Sequence, residues 1–242
     1  MKNFLKKAKD TLTVAGNSLG DNAIKDEEEI VNMNNREKEL QQRVSALVSQ
    51  IQIFHASAKV YFSQQNDVFK KYTTSFDDGS SEKSLADSAA KCSASVAEVG
   101  NTFASYRLQK YVVDPLVAYG KQISKTLSLG NERHSALVLM KKNDEDLQAL
   151  KDKKADQAKI TDKQEKNNQR HEEFNKADKA FRDAYAKDQE DAVIIKKSFD
   201  CFTFYIEEIN KETLTRFNEA FTEFNMASHA SEFKSITDNT PE

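Results

Sequence analysis

The sequence predicts an all-α protein: three long, kinked, antiparallel helices forming a coiled-coil bundle. Three observations carry that expectation. Pro115 is the only proline in the first 240 residues. Glycine does not occur after Gly130. Glycine and proline supply most tight turns, so a chain this poor in both folds back rarely. The third observation is apolar spacing at helical period along nearly the whole chain.

Composition agrees. The 242 residues are 38% hydrophobic and 31% charged, where an ordinary domain is about 45–50% apolar and about 25% charged. A thin bundle, with much of each helix in water, has that balance. Cys92 and Cys201 fit no metal or redox spacing and read as free, partly buried thiols in a reducing cytosol. No run reaches about 18 consecutive apolar residues, the minimum for a membrane-spanning helix. The first residues lack the continuous apolar core of a secretory signal, and no lipid-anchor motif is present.

Residues 1–22 read as a short amphipathic helix. Phe4, Leu5, Ala8, Leu12, Ala15 and Leu19 fall within about 100° of arc, with Lys2, Lys6, Lys7 and Lys9 opposite. A helix this short is marginal in water and orders against a surface. Inserting Phe4, Leu5, Leu12 and Leu19 among lipid headgroups gains at most about 1.5–3 kcal/mol for each fully buried large side chain. Each lysine near an anionic leaflet adds about 1 kcal/mol. The competing reading docks the same face on the protein's own bundle.

Residues 26–75 carry a heptad. One row is Ile30, Glu37, Val44, Ile51, Ala58, Gln65, Tyr72; the other is Met33, Leu40, Leu47, Phe54, Tyr61, Val68. Six repeats argue for coiled-coil packing. Asp26, Glu27, Glu28 and Glu29 open this helix and complement its dipole. Residues 77–81 form a loop. A second helix spans 83–155, with a stripe through Leu85, Ala89, Cys92, Val96, Val99, Phe103, Tyr106 and Val113, then Leu116, Ile123, Leu127 and Leu137. Pro115 removes a backbone hydrogen bond and predicts a helix kink there. Gly120 and Gly130 lie on the same stripe, where another backbone packs close or the helix bends. A third helix spans 160–235 with a core stripe of Phe174, Phe181, Tyr185, Ala192, Ile195, Phe199, Phe202, Ile206, Ile209, Phe217, Phe221 and Phe224. Each long helix would measure on the order of 70–110 Å. Three packed side by side leave an apolar face that a dimer would bury. The expected domains are the amphipathic helix 1–22, a helical domain 23–235, and a disordered polar tail 236–242.

The turn between the second and third helices is rich in cations. Lys141, Lys142, Lys151, Lys153, Lys154, Lys159, Lys163, Lys166 and Arg170 lie there among seven acids. Lys151, Lys153 and Lys154 cluster with only Asp152 opposing them. This is either a plain solvated face or a contact for an anionic membrane. Formal net charge is −3, so anionic lipid must be bound by local patches, in a salt-sensitive way. Nucleic acid is not an expected partner, since no basic domain or zinc spacing is present. Nor is catalysis expected: His55, His134, His171 and His229 form no HExxH-type pair, and phosphate loops and nucleophile elbows are lacking. No metal or other cofactor is implied.

Four stretches resemble the N-BAR domains of the amphiphysin/endophilin/Rvs group. They are Phe4-Leu5-Lys6-Lys7-Ala8; Ser45-Ala46-Leu47-Val48 through Phe54-His55-Ala56-Ser57-Ala58 to Val68-Phe69-Lys70-Lys71-Tyr72; Val113-Asp114-Pro115-Leu116 at the kink; and the spacing Phe202, Phe217, Phe224. The resemblance covers almost the whole length. It departs at Glu132-Arg133-His134-Ser135-Ala136-Leu137, where the family carries a basic Lys-Leu-x-Asp-Tyr-Asp-like segment. The resemblance implies a crescent-shaped antiparallel homodimer with a six-helix core, a heterodimer with a related BAR protein being the variant. It further implies a non-enzymatic scaffold that senses or generates curvature on anionic phospholipids such as phosphatidylserine and phosphoinositides. The place implied is cytoplasmic, peripheral on plasma or endocytic membranes, in endocytosis or at the actin cytoskeleton. The alternative is a coiled-coil module that binds a small GTPase or an actin-regulatory protein without deforming membranes.

Overall fold

The computed structural model describes residues 24–98, 101 and 104–222, with Asp10 and Val14. The expectations for Phe4, Leu5, Leu12, Leu19, Lys2, Lys6, Lys7, Lys9 and the tail 236–242 lie outside the described residues. The elements are α1 (Glu28–Thr73), α2 (Ser81–Glu98), α3 (Ala104–Leu108), a π-helical turn (Gln109–Val113), α4 (Asp114–Asp152), α5 (Gln157–Asp191) and α6 (Val193–Thr222). Among the described residues every regular element is helical.

α1 starts with Glu28 and Glu29 and ends with Lys70 and Lys71, each pair of the sign the helix dipole favours. The chain then reverses over residues 74–80. Gly79 sits at φ 88°, which only glycine adopts without cost. Ser80 caps α2, its Oγ accepting from the Lys83 amide at 3.1 Å, as serine does at helix starts.

Of the expected helix 83–155, the described residues show α2 and then one unbroken helical run in which α3 passes through the π turn into α4. The disturbance at Pro115 lies before the proline rather than at it. Pro115 lies inside that continuous run, where its ring and missing N–H disturb the preceding turn. The chain absorbs the mismatch one turn earlier: the Asp114 amide bonds back to the Gln109 carbonyl, the wide spacing of a π bulge. Val112, Val113 and Leu116 stay buried through it. The expected third helix is divided, at Ala192, between α5 and α6. Nothing in the structure explains that interruption.

The helices form two compact units, each built from discontinuous segments. Unit one is Met1–Ser45 with Ala118–Val193, and unit two is Ala46–Val117 with Ile194–Glu242. In unit one the core joins Ile30 and Val44 of α1, Tyr119, Ile123, Leu137 and Val138 of α4, and Phe181 and Tyr185 of α5. Its largest fully buried side chain is Arg133. In unit two, α2 presents small buried residues, Ala86, Ala89, Cys92, Ser93 and Ala97 around Val96. Phe54 of α1 meets Phe202 of α6 edge-on at 5.7 Å. Arg216 of α6 donates to the Ser95 carbonyl of α2 at 3.0 Å.

Gly130 and Gly120 differ in what surrounds them. A Cβ at Gly130 would strike Asn34 Oδ1 and approach the Phe181 ring to 3.2 Å, whereas one at Gly120 would meet Val44 Cγ1 at an ordinary 3.6 Å. Gly120→Ala should therefore stabilise by up to about 1 kcal/mol through helix propensity. Gly130→Ala should destabilise by about 1 kcal/mol, overpacking outweighing the same gain. Urea midpoints of the two variants check both signs.

Candidate functional site

The first candidate surface is apolar and belongs to unit two. Fifteen of the seventeen large apolar side chains exposed among the described residues lie there. The heptad explains their origin. The α1 row Ile30, Glu37, Val44, Ile51 is buried, but the other row opens after Leu40: Leu47, Phe54, Tyr61 and Val68 are all exposed. Tyr72, Tyr106 and Phe199, expected in the core, are exposed as well, Phe199 at 66%. Among the described residues, unit two has no further helix to cover them.

Within unit two, a groove of about 440 Å³ is lined by Arg107, Tyr111, Asp200, Cys201, Phe204, Tyr205, Glu208 and Ile209. Arg107 and Glu208 pair across it at 3.6 Å. Cys201 is exposed, not partly buried as expected, whereas Cys92 is buried. Burial pushes the Cys92 thiol above its ordinary pKa, which keeps it protonated and inert.

Beneath the groove Tyr205 is 6% exposed. Its hydroxyl lies 2.9 Å from His55 Nδ1, and His55 Nε2 lies 2.9 Å from Ser105 Oγ. Burial, then repulsion from Lys59, lowers the His55 pKa, and burial raises Tyr205 to about 12. Neutral imidazole and neutral phenol thus link α1, α3 and α6. The stripes traced in the sequence passed over Tyr205, Phe204 and Tyr111. The Phe-Thr-Phe-Tyr run at 202–205 was the only available signal for the first two.

The second candidate surface is the turn between α4 and α5. Lys154 adopts φ 48°, the left-handed position that usually closes a helix with glycine. The turn is tied by Lys154 N–H to the Lys151 carbonyl at 3.0 Å and Ala155 N–H to the Leu150 carbonyl at 3.1 Å. Asp156 then caps α5, accepting from the Ala158 amide at 2.8 Å. Lys151, Lys153, Lys154 and Lys159 are exposed.

Of the nine cations expected here, three are held by carboxylates. Lys163 pairs with Asp146 at 2.7 Å, Lys166 with Asp162 at 2.5 Å, and Arg170 with Asp10 and Glu173, both at 2.7 Å. Among the described residues Lys141, Lys142, Lys151, Lys153, Lys154 and Lys159 form no ion pair. The turn therefore carries four lysines without an ion-pair partner, beside Asp152 and Asp156, and the three cations further along α5 do not join it.

No protein-family model matches the sequence, and comparison with curated proteins gives no match. Solved structures do match. A BAR protein from Galdieria sulphuraria aligns with a TM-score of 0.55 at 14% identity, over 85% of this chain and 99% of that one. The EFC/F-BAR domain of Drosophila Syndapin/PACSIN aligns over 90% of this chain and 91% of its own at 12% identity, but with a TM-score of 0.33. The chain thus has a helical-bundle fold shared with a BAR protein, and the similarity extends to the fold alone.

His55 makes unit two acid-sensitive. Its folded pKa lies below the ordinary 6.5, so the unfolded chain takes up a proton first and stability falls as pH drops below 6.5. In His55→Gln that decline should shrink, which thermal unfolding from pH 7 to pH 5 will show.

Proposed function

We propose that the chain is a membrane-curvature scaffold. Two copies pair through unit two into a crescent, and the dimer meets anionic phospholipid with its cationic turns. The observation that supports pairing is the concentration of exposed apolar residues in unit two, on a fold shared with a BAR protein. Contiguous exposed apolar surface marks an interaction site, and a second copy supplies the same aromatic rows in return. Phosphatidylserine and phosphoinositide headgroups are the ligands that bare lysines at a turn suit best. Residues 1–22 supply a wedge of Phe4, Leu5, Leu12 and Leu19 that spreads one leaflet. The role is non-enzymatic, and it places the chain at endocytic or cortical membranes.

Sedimentation equilibrium should give twice 27.4 kDa. Tyr61→Glu with Phe199→Glu should give a helical monomer. A wild-type monomer at tens of micromolar would remove the pairing reading. Liposome co-sedimentation tests the second half. Reversing Lys151, Lys153 and Lys154 to glutamate should weaken binding at least about 100-fold, from about 1 kcal/mol per lysine lost. Unchanged binding would leave these lysines as solubilising groups.

Lys154→Gly separates charge from conformation. Relief of the left-handed backbone should stabilise the chain by about 1 kcal/mol, while losing one cation should weaken liposome binding about fivefold. Urea melts and co-sedimentation read the two effects independently.

A further inference from the structure

Glu37 occupies a core position of the α1 heptad and is fully buried. Its neighbour is Asp188 of α5, also fully buried. Two acids meeting inside a helical unit call for a cation or a proton. No lysine, arginine or histidine forms an ion pair with either one among the described residues.

Each carboxyl group is half satisfied. Glu37 Oε1 accepts from Gln189 Nε2 at 3.1 Å, and Asp188 Oδ1 accepts from Gln122 Nε2 at 2.7 Å. Glu37 Oε2 and Asp188 Oδ2 are both buried and have no donor, although the two side chains are within hydrogen-bonding reach of each other. Two carboxyl groups in contact in a low-dielectric interior repel unless a hydrogen lies between them.

We propose that Glu37 and Asp188 share one proton, making a carboxyl–carboxylate hydrogen bond that ties α1 to α5 and weakens unit one when it is lost. The proton sits on Glu37 Oε2 and is donated to Asp188 Oδ2. This satisfies both orphaned oxygens at once and leaves one negative charge for the pair. The other groups facing the pair add no positive charge. Tyr119 of α4 donates its hydroxyl to the Asp188 backbone carbonyl at 2.6 Å. Burial, with the nearby Asp188, Glu37 and Asp191, keeps that phenol neutral, its pKa raised to about 12. Asp191 of α5 is held through Gln122 Nε2 at 2.8 Å. Desolvation first, and the charge and hydrogen bond of Asp188 next, raise Glu37 from 4.5 to about 7.

The sign follows by linkage. An acid whose folded pKa is raised holds its proton in the folded state after the unfolded chain has released it. Stability therefore falls as pH rises from 4.5 toward 7, and the loss is complete above 7. Between pH 6 and pH 8 this one group should raise the unfolding equilibrium constant about tenfold.

The test is denaturant unfolding of the full chain at pH 6 and pH 8, wild type against Glu37→Gln. The amide supplies a permanent N–H toward Asp188 and cannot titrate. Wild type should lose about tenfold in folding equilibrium relative to Glu37→Gln over that interval. Parallel behaviour of the two proteins would overturn the proposal. Infrared spectroscopy gives a readout independent of stability. A protonated-carboxyl C=O band should be present in folded wild type at pH 6, be gone by pH 8.5, and be missing from Glu37→Gln. If Glu37→Gln does not fold, the band and its pH dependence in wild type decide alone, and its absence at pH 6 refutes the shared proton.

Discussion

Unit one depends on the placing of Arg133. A fully buried guanidinium costs several kcal/mol unless paired, and here it is paired twice. Nη1 donates to Asp26, just ahead of α1, and Nε donates to Asp178 of α5 at 2.5 Å. Its plane lies over the Phe174 ring, 5.2 Å from the centroid. Burial pushes the Asp178 carboxyl up, but hydrogen bonds from Arg133 and Arg182 prevail and hold it below the usual range. His134 takes the other Asp26 oxygen at 2.7 Å, and Arg182 reaches on to Glu29 at 3.1 Å. One cation on α4 thus fixes where α1 begins and which turn of α5 faces it. Apolar rows can slide by a heptad at modest cost. An unpaired buried charge cannot, so the clamp sets the register that the apolar seam then fills.

The two units solve the burial problem differently. Unit one closes itself with polar core groups, Arg133, Glu37, Asp188, Asn167 and Thr126. Unit two buries little polarity beyond Ser93 and Ser198. It leaves Phe54, Tyr61, Tyr72, Tyr106, Tyr111, Phe199 and Phe204 exposed instead. Directional polar contacts suit a part that must keep its geometry alone. An open apolar face suits a part completed by association, because apolar burial is strong but undirected.

Much of this was legible in the sequence. The lack of glycine and proline foretold long helices, and the surplus of apolar stripes foretold a leftover apolar face, though not that the Leu47, Phe54, Tyr61 and Val68 row would form part of it. Gly130 signalled either a close backbone or a bend; what fills the space is the Asn34 and Phe181 side chains. What stayed hidden depends on contacts far apart in the chain. The stretch Glu132-Arg133-His134 looks like an exposed polar segment until Asp26 and Asp178 are brought to it. Glu37 looks like a heptad irregularity until Asp188 arrives from 151 positions away. The π turn was invisible because periodicity registers one extra residue only as a phase shift. The cationic turn was legible in composition, but which of its lysines are compensated depends on cross-helix partners such as Asp146 for Lys163.

The far end of unit one follows from what α5 lacks. Between Ile160 and Phe174 the sequence has no apolar side chain, so this stretch cannot be held to α4 by hydrophobic burial. Polar bonds hold it instead: Asp144 accepts from Asn167 and pairs with His171, both at 2.8 Å, and Lys163 reaches Asp146 at 2.7 Å. Partly exposed contacts of this kind contribute at most about 1 kcal/mol each and weaken with salt. Among the described residues of unit one, the segment next to these lysines is held without apolar contacts of its own, and local opening begins where apolar contacts are fewest. An anionic surface bound by Lys151, Lys153 and Lys154 would supply the charge complement that this end of the helix pair lacks, so binding and local ordering should rise and fall together as ionic strength changes.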